Sequence, residues 1–183
     1  SVQLKLKILL TAILLTTIPL IGSAAVPCNF GSNTRGGELS FKFNFSEEDC
    51  QRIFTRNGSS LTLSVQYPEM RLVKERVLDG ELISLRMSHI DPERYDQDRV
   101  IEGRKPDRHI GDIDVYVIGS SDVYHFRGKD GVIVFVSDWG NTYVATRLFA
   151  HDISISYQYS SSHKNVKDMD AAVLSFLDEH LIR

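Results

Sequence analysis

Five strand-like runs crowd into residues 112–159, and the breaks between them leave this part of the chain almost no choice of topology. The runs are 112–118, 122–127, 132–138, 142–149 and 153–159. Between them stand Gly119-Ser120, Gly128-Lys129-Asp130-Gly131, Gly140-Asn141 and His151-Asp152. A parallel crossover takes a dozen or more residues, so connections this short make each strand pair antiparallel with the next, a meander. Val132 to Val136 is apolar at every position, as in a central strand covered on both faces. Farther on, Ile153, Ile155, Tyr157 and Tyr159 face one way and Ser154, Ser156 and Gln158 the other. That pattern fits an edge strand or a strand with one wet face.

Helices flank this block. Asn165 with Asp168 three residues on opens the last one in a capping-box arrangement. Val166, Met169, Val173, Phe176 and Leu177 recur at three and four residues and form one apolar stripe, with Asp168, Asp170, Asp178 and Glu179 on the rest of the surface. Upstream, residues 26–37 read as a Gly- and Asn-containing lead-in. Residues 38–45 alternate, with Leu39, Phe41, Phe43 and Phe45 opposite Ser40, Lys42 and Asn44, which predicts a strand. Ser46 followed by Glu47, Glu48 and Asp49 predicts a helix start, running to about residue 55 and ending at Asn57-Gly58. Leu61, Leu63, Val65 and Tyr67 alternate again up to Pro68, and Asp79-Gly80 predicts a hairpin of 72–78 with 81–87. The expected fold is α+β: an antiparallel meander sheet of six to eight strands, with a short N-terminal helix and a C-terminal amphipathic helix packed on it.

Residues 1–25 have the order of a secretory signal peptide: Lys5 and Lys7, an apolar run from Ile8 to Ile21, then Ser23-Ala24-Ala25. The run is interrupted by Thr11, Thr16, Thr17 and Pro19. It falls short of the about 20 apolar residues of a stable span, so a retained anchor is the weaker reading. Cleavage leaves one domain, 26–183, of a size that can bury a real core. Losing Lys5 and Lys7 takes the basic count from 21 to 19 against 24 acids, a net charge of −5. A mildly acidic domain has no electrostatic footprint for nucleic acid. Cys28 and Cys50, an exported pair, predict a disulfide closing about 22 residues, worth about 3 kcal/mol in the chain-entropy model. Pro27 before Cys28 argues against a lipid-modified cysteine. The expected location is periplasmic or secreted.

No motif names a chemistry. His89, His109, His125, His151, His163 and His180 include no HExxH and no pair three or four apart, so neither a metal ligand set nor a general base is indicated. There is no GxSxG, and Gly128-Lys129-Asp130-Gly131 is a hairpin turn rather than a phosphate cradle. Asp91, Asp96, Asp98, Asp112 and Asp114 offer oxygens for calcium without the spacing of an EF-hand loop, and Arg94, Arg99 and Arg104 compete for them. Asn44-Phe45-Ser46 and Asn57-Gly58-Ser59 match the N-glycosylation pattern by chance, Asn44 being in a strand. Trp139, Tyr143, Tyr157 and Tyr159 are expected in the core before they are expected as a platform. Residues 91–111, bracketed by Pro92 and Pro106, are charged with mixed sign and poor in apolar residues. They read as a long exposed loop with one helical turn near 93–100, and such loops are usually functional or disordered.

The signal segment, the two cysteines, the stretch from Asp122-Val123-Tyr124-His125-Phe126 to Trp139 and the closing helix over 168–182 together resemble the small periplasmic immunity proteins of bacterial type VI secretion systems. The likeness covers about the last 75 residues and transfers no functional residue. It implies an exported, non-enzymatic protein that neutralises or occludes a partner protein such as a secreted toxin, without a cofactor. On that expectation Arg94, Asp96, Asp98 and Arg99 orient the partner and Trp139 anchors it. The alternative from a different class is a cell-envelope carrier of lipid or a small ligand, since a sheet under helices can hold an apolar pocket.

Overall fold

The structure is a computed structural model and describes residues 28–34, 37–56, 60–74 and 81–183. The leader (residues 1–25), Asn57-Gly58 and Asp79-Gly80 lie outside the described residues. In chain order the strands are β1 (Cys28–Thr34), β2 (Gly37–Phe43), β3 (Phe54–Arg56), β4 (Ser60–Gln66), β5 (Arg71–Val73), β6 (Leu82–His89) and β7 (Arg108–Ile110). They continue with β8 (Ile113–Ile118), β9 (Ser121–Arg127), β10 (Ile133–Asp138), β11 (Thr142–Phe149), β12 (Ile153–Ser160) and β13 (Leu181–Ile182). The helices are α1 (Glu47–Cys50) and α2 (Val166–His180).

The meander forms as the short connections require. Strands β12-β11-β10-β9-β8-β7 lie side by side, every pair antiparallel. The sheet then continues past β12 to β6, β4 and β3, with β5 also on β4, making ten strands among the described residues. Strand β12 is therefore central, and its serine side is a wet face rather than a sheet edge. Paired residues share a face, so Leu63, Leu85, Tyr157, Ala145, Val136 and Tyr124 line up across six strands on one side. On the other side Ser64, Ser84, Gln158, Val144, Ser137 and Val123 follow the same course. The second row is polar on β4, β6 and β12 and turns apolar toward β9.

Helix α2 covers the first face. Asn165 caps it, its Oδ1 accepting from the Asp168 amide at 3.1 Å. The stripe Val166, Met169, Val173, Phe176 and Leu177 is buried against the sheet. Strands β1, β2 and β13 form a separate three-stranded sheet. Its Phe41 stacks on His89 of the large sheet at 4.3 Å, and Phe45, just beyond β2, lies 5.9 Å from Phe176 of α2. Both sheets and α2 thus share one apolar core.

Three expectations are corrected. The helix expected from Ser46 to about residue 55 is a single turn over Glu47–Cys50 with no buried residue. Ser46 caps it as expected, accepting from the Asp49 amide at 3.1 Å, but Phe54–Arg56 is already strand paired with β4. A cap starts a helix; only an apolar stripe extends one, and none follows Cys50. The lead-in contains a strand, β1, in register with β2 from Cys28↔Phe43 to Thr34↔Gly37. The hairpin partner of β5 is β4, through Val65↔Leu72, while β6 pairs with the other side of β4 and with β12.

Cys28 and Cys50 are joined by a disulfide, with Cα atoms 5.8 Å apart. It ties β1 to α1, a turn with no buried residue of its own. Replacing both cysteines by serine is expected to lower stability by about 3 kcal/mol. A urea midpoint that does not move would show that the unfolded chain gains nothing from release of this loop.

Candidate functional site

The charged segment after β6 is ordered for a topological reason. Strand β6 lies beside β12, whereas β7 lies at the far edge of the meander. The chain must cross six strand spacings of about 4.8 Å, about 29 Å in all, and residues 90–107 make that crossing over the face opposite α2. The Ile90 amide donates to the Asp152 carbonyl at one end, and the Asp107 amide donates to the Val115 carbonyl at the other. Two 3₁₀ turns, Pro92–Arg94 and Asp98–Val100, shape the strap between them. It is thus a covering layer with two turns, in place of the exposed loop with one that its composition suggests.

The strap alternates. Tyr95, Gln97 and Ile101 turn toward the sheet and Arg94, Asp96, Asp98 and Arg99 stay exposed. Ile101 packs on Tyr116, Val123 and Phe135, with Ile118 and Ile133 beside them. Thr146 Oγ1 donates to Gln97 Oε1 at 3.0 Å. The Tyr95 hydroxyl sits next to Thr146, and burial pushes its pKa up to about 12. The double-sided apolar character of Val132–Val136 is now explained: Val134 and Val136 face α2, and Phe135 faces the strap. His125, on the strap side, stands 4.9 Å from the Phe135 ring, with Nε2 at 3.9 Å from Asp98 and Nδ1 at 3.8 Å from Asp114. His109 Nδ1 lies 2.8 Å from the same Asp114.

Trp139 separates from the other aromatics. Tyr143, Tyr157 and Tyr159 are core residues, whereas Trp139 is 72 % exposed. It begins the β10–β11 turn, where its amide donates to the Thr142 carbonyl at 2.9 Å. Gly140 takes φ +89, a conformation that a side chain would strain, and its amide donates to Asp138 Oδ1 at 2.8 Å. Ser161 locks the turn from the β12–α2 connection, its hydroxyl donating to the Gly140 carbonyl at 2.6 Å. Period-two alternation from Phe135 and Ser137 puts Trp139 on the strap side, level with Ser121 and Ile118. It stands about 20 Å along β10 from Ile133. Val100, 51 % exposed, belongs to the strap next to the inward-facing Ile101. Structure therefore sets all five expected binding residues on one side of the large sheet: Arg94, Asp96, Asp98 and Arg99 on the strap, and Trp139 at the far end of β10.

Two clefts adjoin this side. One, of about 210 Å³, lies between strap and sheet, with Val132, Ile133, Phe135 and Leu148 from the strands and Tyr95, Asp96, Gln97 and Asp98 from the strap. The other, of about 180 Å³, is at the opposite edge, among Arg52, Phe54, Thr62, Ser64, Val73 and Lys74. The acids weighed as calcium ligands are drawn apart: Asp112 to Lys167, Asp114 to His109, and Asp91 to the Glu93 amide at 3.1 Å. No group of three or more His, Cys, Asp or Glu is arranged for a metal ion among the described residues. Among them, too, no helix is long and apolar enough to cross a membrane.

One charged cluster was missed. Asp170, expected on the polar side of α2, is 1 % exposed, and Arg147 on β11 is fully buried. Arg147 Nη1 donates to Asp170 Oδ2 at 2.5 Å, Nη2 donates to Asp130 in the β9–β10 turn, and Nε donates to the Leu148 carbonyl at 3.1 Å. The Tyr157 hydroxyl donates to Asp170 Oδ1 at 2.9 Å. Burial raises the Asp170 carboxyl above its usual value, against the pull of Arg147 and Tyr157. Burial also opposes the charge on Arg147, but the bonds to Asp130 and Asp170 outweigh it and its pKa ends above that of an ordinary arginine. One cation between two carboxylates is better satisfied than either acid that shares it. Gly128 makes room: a Cβ there would stand 2.6 Å from Asp170 Oδ2 and 2.8 Å from Arg147 Nη1. The signal was present, because Arg147 interrupts the inward series Tyr143, Ala145, Phe149, and Asp170 falls four residues after Val166 and three before Val173. The cluster is sealed from solvent on the α2 side, so its chemistry is that of a pin between helix, sheet and turn.

No family model, no curated protein and no solved structure matches this chain.

Proposed function

We propose that this protein is an exported, non-enzymatic binding protein that occludes a partner protein, in the manner of the periplasmic immunity proteins that its sequence resembles. The observation that carries the reading is Trp139: a large aromatic, 72 % exposed, held by backbone hydrogen bonds on a locked turn. Aromatics presented this way are the usual anchors of protein interfaces. The outward residues of the strap, Arg94, Asp96, Asp98, Arg99 and Val100, extend the same side of the molecule. The reach of about 20 Å from Ile133 to Trp139 fits within one standard footprint of about 800 Å² per partner. The disulfide suits an oxidising compartment. The carrier reading has less behind it among the described residues, where the two clefts on this side, of about 210 and 180 Å³, fall below the range of roughly 300–1,000 Å³ usual for small-molecule sites.

The test begins with the protein bound to this chain in envelope extract of its own host, identified and purified. Trp139→Ala is expected to weaken its capture by about 30-fold or more, with the urea midpoint unchanged. The combined Arg94→Ala, Asp96→Ala, Asp98→Ala and Arg99→Ala variant is expected to slow association and flatten its salt dependence. Unaltered affinity in both variants would remove this face from the account, and turnover of a substrate by the purified chain would overturn the non-enzymatic reading.

A further inference from the structure

We propose that the cleft beneath the strap receives one basic side chain, a lysine or an arginine, from the partner protein. The inference rests on the partner-binding reading above and makes it specific. The cleft has a floor of Ile133, Phe135 and Leu148, and its only charged lining residues are Asp96 and Asp98. None of the residues that line it is basic. A lysine is the complement of this arrangement, with an apolar four-carbon stem and a compact cation at its tip. Its stem lies along the floor and its ammonium reaches the carboxylates. Size makes the same selection: about 210 Å³ admits one side chain but not the drug-sized ligands that fill sites of roughly 300–1,000 Å³.

The walls are fixed before a ligand arrives. Ile101 is packed on Tyr116, Val123 and Phe135, and Gln97 is bonded to Thr146, so the strap is pinned on both flanks of Asp98. Preorganised walls lower the entropic cost of immobilising a long side chain. His125, 3.9 Å from Asp98, stands behind the acid rather than in the cleft lining. Arg94, 4.0 Å from Asp91, and Arg99 remain outside the lining, on the exposed side of the strap.

The probes are N-acetyl-lysine methylamide, butylguanidinium and N-acetyl-norleucine methylamide, titrated into the purified chain and followed by amide chemical shifts. The two cations are expected to give saturable shifts at residues 95–98, 132–135 and 148 in about the millimolar range. Neutral norleucine is expected to bind at least about tenfold more weakly, and so is lysine to the Asp96→Asn/Asp98→Asn variant. Ile133→Trp, which fills the floor, is expected to abolish the response to both cations. Because the native shift pattern is recorded in the same spectra, a misfolded variant is recognised at once, and wild-type discrimination between lysine and norleucine decides alone. Equal binding of the two, or no saturation by either cation up to about 50 mM, overturns the proposal. If the cations bind while Trp139→Ala and the strap variant, which removes Asp96 and Asp98, leave partner capture intact, the cleft takes free cations only, and the proposal that the partner fills it falls with the partner-binding face. If those variants lose the partner while the cations do not bind, the face stands without the cleft.

Discussion

Arg147→Ala is expected to lower stability by about 3–5 kcal/mol, because it strands a buried carboxylate with no cation beside it. Whole domains are stable by only about 5–15 kcal/mol, so the variant sits close to unfolding, and Asp170→Ala should do nearly the same. The reason is the surroundings: Asp170 is enclosed by α2, β11 and β12, with only Arg147 and the Tyr157 hydroxyl to offset lost hydration. The paired replacement Arg147→Met with Asp170→Leu is expected to recover most of the loss, as apolar isosteres of buried ion pairs often do. It leaves Asp130 at the turn, where solvent reaches it. Urea denaturation of the wild type, Arg147→Met, Asp170→Leu and the paired variant closes a double-mutant cycle, and Arg147→Ala and Asp170→Ala are read beside it. Single-variant losses below about 1 kcal/mol would mean that water already reaches the pair.

Alkali is expected to unfold this protein over a window set by its phenols. Burial raises the pKa of Tyr95 to about 12 and raises those of Tyr116, Tyr124, Tyr157 and Tyr159 as well. A phenol whose folded pKa exceeds its unfolded value of 10 holds its proton more tightly in the native chain. Its contribution is whole below pH 10 and drains away as the pH climbs through 10 toward 12 and beyond. Several such groups act together, since Tyr124, Tyr157 and Tyr159 are linked on the α2 face by ring contacts of 5.6–5.9 Å that run through the Tyr143 ring. Phenolate absorbance and circular dichroism, followed together against pH, should change in one cooperative step above pH 10. Smooth, independent ionisation near pH 10 with the fold intact would contradict the burial described for these rings.

The meander was legible in the sequence because tight turns and period-two patterning are local facts, and the strands β8 to β12 fall within about one residue of the expected runs. Helix α2 was legible from its stripe and cap. The rest depended on residues far apart in sequence. Nothing near residue 91 announces that the next strand lies six positions across the sheet, so a crossing strap resembles a solvated loop; its inward set, Tyr95, Gln97 and Ile101, is too sparse to stand out among eleven charges. Arg147 and Asp170 each look misplaced alone, and only their meeting makes sense of both. The short helix failed for a different reason: Ser46 and three acids predict where a helix begins, while its length is decided by what it can bury. For the candidate face, residue types pointed to Arg94, Asp96, Asp98, Arg99 and Trp139. Their placement on one side of the sheet follows from register and topology, neither of which can be read locally.

Strand β6 reaches the meander only through β12, from Ile153↔His89 to Gln158↔Ser84, and β2 gains its second neighbour only from Leu181 and Ile182. The joining of β6 to the meander and of β2 to its second neighbour must therefore wait for residues made much later. Such distant closures are slow to find. During synthesis the strand pairs of the early part can form among themselves, but their docking on the meander comes only after the closing segments have emerged.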